Sequence, residues 1–129
     1  MRIVSIIMFI LLLLCVAVQW NDPDGWLWML IYGYGTVVSA FAVAKRYSVA
    51  AVIGVIGYVA GALYWMPNEM IEHPSNLLLD MRMHEMGVEE VREDIGLWLA
   101  AIWMFVLSVL WWRQRRPATE VAQTAEEAQ

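Results

Sequence analysis

Apolar residues run almost unbroken through 3–20, 26–44, 48–66 and 96–112, and polar residues gather between those runs. A helix at the surface of a water-soluble domain keeps one polar face, with apolar positions recurring every three or four residues. None of these four runs keeps such a face. Each is about 17 to 19 residues long, enough at ~1.5 Å per residue to cross a hydrocarbon core of ~30 Å. The pattern predicts four transmembrane helices. Arg2 ahead of the first run also fits a signal peptide. However, no A-x-A-like cleavage site follows, and Leu14 stands where a lipoprotein site at Cys15 needs a small residue. The first run therefore reads as a retained helix.

The polar connections follow from their turn chemistry. Asn21-Asp22-Pro23-Asp24-Gly25 reads as a tight reversal, with Pro23 blocking continuation and Asn and Asp bonding locally to backbone. Lys45-Arg46 separates the second and third runs. Residues 67–95 form the one long polar segment. Ser75 or Asn76 is placed to cap a short interfacial helix reaching about Met86, with Leu77, Leu78, Met81 and Met86 on the membrane surface. After Gly87, a further helical piece from Val88 leads straight into the fourth run. Residues 117–129 are Ala, Thr, Glu and Gln without an apolar period, which predicts a disordered tail. The organisation expected is one four-span domain over 1–116 plus that tail, with no internal repeat.

Composition strengthens the membrane reading. The chain is 61% hydrophobic and 16% charged, with mean hydropathy +0.57, against roughly 25% charged residues in soluble domains. The net charge of −5 says less than the side each charge occupies. With four crossings, Arg2, Lys45, Arg46, Arg113, Arg115 and Arg116 share one side, and only Arg82 and Arg92 lie on the other. Both termini are then cytoplasmic, in the inner membrane if the source is bacterial. Trp20, Trp26, Trp28, Trp65 and Trp98 fall near the outer interface, Trp111 and Trp112 near the inner one, and Trp103 in mid-span. The fold class expected is an all-α, up-down bundle of four transmembrane helices. The single cysteine, Cys15, cannot form an internal disulfide and reads as a small apolar residue.

This topology carries two polar clusters to the outer rim. Gln19, Asn21, Asp22 and Asp24 lie in the first turn, and Glu89, Glu90, Arg92 and Glu93 precede the last span. On a helix Glu89, Arg92, Glu93 and Gly96 share one face. Three chemistries are open. A structural clasp would fork Arg92 onto Asp22 or Asp24, with Gln19 and Asn21 satisfying helix ends. Alternatively Asp22, Asp24, Glu90 and Glu93 are hard oxygen ligands for a divalent cation, which would admit a metal-dependent, hydrolase-like membrane enzyme. Finally, Met83 and His84 lie in a thioether and imidazole run suited to copper. The plainer reading of that run is apolar filler in an interfacial helix. Gly54, Gly57 and Gly61 lie along the third helix, and Gly57-x-x-x-Gly61 suits close approach to another helix of this chain or to a second copy. Gly96 removes bulk where the acidic face enters the membrane.

Gln19-x-Asn21-Asp22-Pro23-Asp24, followed by Trp28 and Tyr32, resembles the first signature of the transmembrane protein 220 family. Glu89-Glu90-x-Arg92-Glu93-x-x-Gly96-Leu97 resembles its second. The likeness covers nearly the whole chain and implies a small multi-pass membrane protein without implying a reaction. The role expected is non-enzymatic, as an accessory or interaction protein with an acidic outer rim. Its surroundings would be the lipid bilayer and a membrane-protein partner or second copy, with no nucleic acid. A divalent cation is the candidate cofactor.

Overall fold

A computed structural model of the chain describes residues 1–21, 24–66 and 85–128. Asp22, Met83 and His84 lie outside the described residues, as does nearly all of the expected interfacial helix. For Asn21, Glu89, Glu90 and Arg92 the backbone alone is described. The described elements are all helical: α1 (Arg2–Val18), a 3-10 turn (Gln19–Asn21), α2 (Gly25–Val43), α3 (Ala50–Tyr64) and α4 (Glu85–Glu127). Two of them are long and apolar enough to cross a membrane, Gly25–Val43 and the Glu93–Arg115 part of α4; α1 and α3 are shorter apolar helices.

The helices pack as two close pairs, α1 with α2 and α3 with α4, joined by sparser contacts. Leu97 lies beside Gly61 and Met104 beside Gly54, so α3 and α4 run antiparallel. Tyr32 meets Glu93, and Ser39 meets Trp103 two turns further along α2 and nearly three along α4, so α2 and α4 run in the same direction.

The outer surface differs from that of a water-soluble bundle, being apolar on every helix. Inside, large side chains such as Trp28, Tyr58, Trp103 and Met104 pack among Ala42, Ala51, Ala62, Ala100 and Ala101, with Ser5, Thr36 and Ser39. Large aliphatics such as Ile7, Leu14, Ile56 and Ile102 face outward on every helix. In lipid no hydrophobic force drives helices together, so small residues that allow close backbone approach line the contacts. The buried hydroxyls bond back to their own helices: Ser5 Oγ donates to the Met1 carbonyl, Thr36 Oγ1 to that of Tyr32, and Ser39 Oγ to that of Gly35. No polar atom of these side chains is thereby left unpaired in hydrocarbon.

The third-helix glycines divide by role. A Cβ on Gly54 would stand 2.9 Å from Met104 Cγ, whereas one on Gly57 meets nothing within 4 Å. Gly61 is in ordinary contact with Trp65 and Leu97. Close packing within the chain therefore uses Gly54, while Gly57 faces an open groove of about 650 Å³ between α2 and α3.

Two expectations change. The stretch read as a disordered tail continues α4 as helix to Glu127. Ala, Glu and Gln are good helix formers, and extending an existing helix avoids the cost of nucleating one. Trp28, expected at the lipid interface, is buried instead, 6.0 Å from the Tyr32 ring and 5.4 Å from that of Trp65.

Candidate functional site: a cleft between the two polar motifs

The end of α1, the middle of α2 and the membrane entry of α4 converge on a cleft of about 230 Å³. Gln19 and Tyr32 from the first polar motif line it together with Glu93 and Gly96 from the second. The chain thus brings together two segments more than sixty residues apart.

The join has a definite geometry. The Tyr32 hydroxyl donates to the backbone carbonyl of Glu93 at 3.3 Å. That approach is open because residue 96 has no side chain: a Cβ on Gly96 would collide with the Tyr32 hydroxyl and crowd its ring. Gly96 and Glu93 are one turn apart, so removing bulk at one position lets a phenol reach the carbonyl of the other. Tyr32 is in turn held by the stacked Trp28 ring, and both side chains are buried.

Gln19 closes the polar end. It ends α1 with φ −73° and ψ −3°, its backbone N–H donating to the Ala17 carbonyl. Its side chain is only 5% exposed, and Oε1 has no hydrogen-bond partner among the described residues. A buried acceptor left unpaired costs on the order of 1–3 kcal/mol. Cys15, one turn earlier, lines the same cleft, as do Leu11, Leu14 and Val18, which are exposed on the outer surface of α1.

The remaining candidates are distributed differently. Asp24 is exposed and occupies the N-cap position of α2 without a side-chain capping bond. Asp94, next to Glu93 in the chain, is 2% exposed; its Oδ1 has no hydrogen-bond partner among the described residues. The turn between residues 93 and 94 is the reason: about 100° around the helix carries Glu93 to the cleft and Asp94 into the core. Among the described residues, no three His, Cys, Asp or Glu side chains are grouped to hold a metal ion. The clasp between Arg92 and Asp22, and the Met83–His84 pair, fall outside what is described.

Sequence reasoning reads Cys15 as a small apolar residue and does not single out Asp94. The i, i+4 spacing from Cys15 to Gln19 is the signal that pairs Cys15 with the cleft. Nothing in the spacing separates Asp94 from Glu90.

Comparison with known proteins agrees with the membrane character of the fold. No curated protein and no solved structure matches the chain. The family described as Transmembrane family 220, helix, matches residues 11–109, which span both polar motifs, the cleft, all of α2 and α3 and parts of α1 and α4. By that match this membrane protein belongs to transmembrane family 220.

Proposed function

We propose that the chain crosses the membrane four times, with both termini on the cytoplasmic side, and serves as a non-enzymatic accessory protein. Its working part is the cleft between the two polar motifs, at the outer rim. In a bacterial source the membrane would be the inner one. The observation that carries this reading is the Tyr32–Glu93 join with Gly96 beneath it. Motif residues here contribute a phenol-to-backbone bond, a missing side chain and a buried amide, all of which position helices around a cavity. The outward aliphatics on α1 and α3 support crossings by these shorter helices, since a short span is accommodated by local thinning of the bilayer. The cations at residues 2, 45, 46, 113, 115 and 116 support the orientation.

Single cysteines in a Cys15→Ser background test the topology. Four crossings place reporters at Arg46 and Gln114 on one side and at Asp24 on the other. Two crossings, by α2 and α4 alone, place Arg46 and Gln114 on opposite sides. Metal content and thermal stability of the purified protein, beside an Asp24→Asn, Glu93→Gln double variant, test the role. No metal dependence supports the accessory role. A stoichiometric divalent ion that stabilises the wild type and is lost from the variant would replace it with a metal-dependent enzyme.

A further inference from the structure

The cleft has one polar end and one hydrocarbon wall, and its polar end carries an unanswered acceptor. Gln19 lines the cleft, and its Oε1 is buried with no partner among the described residues. A buried acceptor of this kind recruits a donor. Glu93 lines the cleft with Gln19 and is the one charged residue among the described residues of that lining. A carboxylate in the lining favours a positively charged donor and disfavours phosphate, sulfate or carboxylate. Leu11, Leu14 and Val18 form the other wall and are exposed on the outer surface of α1, so a chain lying along them stays in lipid. Only a head group has to leave water. The volume of about 230 Å³ falls below the ~300–1,000 Å³ of sites for drug-sized ligands, which suits a compact head and its first methylenes.

We propose that the cleft between α1 and α4 binds the primary ammonium head of a single amphiphile. Gln19 Oε1 accepts from the ammonium, and the hydrocarbon chain runs along Val18, Leu14 and Leu11 of α1. This rests on the membrane reading above but not on the number of crossings.

The test uses the full chain in uncharged detergent micelles, with decylammonium, decanol or decyl sulfate added at matched mole fraction. A ligand that binds only the folded protein raises its thermal midpoint. Decylammonium is expected to raise the midpoint saturably, at a mole fraction at least tenfold below that needed for decanol, while decyl sulfate gives no such rise. Gln19→Leu is expected to weaken the decylammonium response at least tenfold, and Gln19→Glu, which keeps the acceptor and adds charge, to strengthen it. Propylammonium without a chain separates a free amine from an amphiphile: a full response to it overturns the proposal. Phosphatidylethanolamine acting where phosphatidylcholine does not identifies the source as a lipid head group; decylammonium acting alone identifies a non-phospholipid amine. Equal responses to all three decyl compounds, or an unchanged response in both Gln19 variants, overturn the proposal. Loss of the response leaves the four crossings standing, and a two-crossing topology leaves the response unaffected.

Discussion

The Trp103 indole N–H donates to the Ser39 hydroxyl at 2.9 Å, and that hydroxyl donates onward to the Gly35 carbonyl at 2.7 Å. Both side chains are buried, and the relay ties α4 to α2 where the sequence places mid-span. Ser39→Ala strands the indole donor, whereas Trp103→Phe removes donor and demand together. Ser39→Ala is expected to cost about 1 kcal/mol, in the range of hydrogen bonds between membrane helices. A double-mutant cycle by denaturant titration in mixed micelles measures the coupling, and zero coupling refutes the relay.

Gly96 is expected to be intolerant of any side chain. Gly96→Ala meets the Tyr32 hydroxyl, and overpacking of this kind costs roughly 1–3 kcal/mol. Tyr32→Phe deletes the nearest atom, so the double variant should recover much of that loss. If Gly96→Ala is equally harmful with Phe at position 32, the clash is not the cause.

The other glycines should rank by what a methyl group would meet. At Gly35 it would stand 2.6 Å from the Tyr58 hydroxyl, which is held by a 2.6 Å bond to the Ile31 carbonyl and cannot easily move. At Gly54 it would meet flexible Met104, and at Gly57 nothing. Stability should fall most for Gly35→Ala and less for Gly54→Ala. Gly57→Ala should lie within about 0.5 kcal/mol of wild type, as substitutions away from packed features usually do. Gly57→Leu also reports on self-association: a change in oligomeric mass would show that a second copy uses the open groove.

Lys45 ends α2 with φ 58°, the left-handed region. Arg46 N–H donates to the Phe41 carbonyl and Lys45 N–H to that of Ala42, the two bonds of a Schellman cap. Glycine adopts this conformation without the cost a side chain carries, about 1–2 kcal/mol. Lys45→Gly is expected to raise stability by about 1 kcal/mol in the same titration, and Lys45→Ala to give no gain.

Much of the helix layout was legible because apolar runs leave few alternatives. Residues 26–44 correspond to Gly25–Val43, and the run 96–112 lies inside α4. The meeting of the two polar motifs was legible only as a shared side of the bundle. Its agent, the Tyr32 hydroxyl on a backbone carbonyl, leaves no trace in charge patterning, since the acceptor is a group every residue has. The opposite fates of Glu93 and Asp94 were hidden for a similar reason. Neighbouring carboxylates look alike in sequence, and only the packing of α4 decides which one is enclosed. The helical extension past Arg116 was missed because composition alone does not register that a helix is already in progress.

α4 is a single helix of 43 residues, about 65 Å long at ~1.5 Å per residue. That is roughly twice the ~30 Å thickness of a hydrocarbon core. The same helix that carries Glu93 and Gly96 at the cleft therefore runs on well past its apolar stretch, which ends at Arg115. Pro117 stands just past the end of the apolar stretch Glu93–Arg115, where a ring without an N–H weakens a helix, so the last turns are joined to the rest through the weakest link of α4.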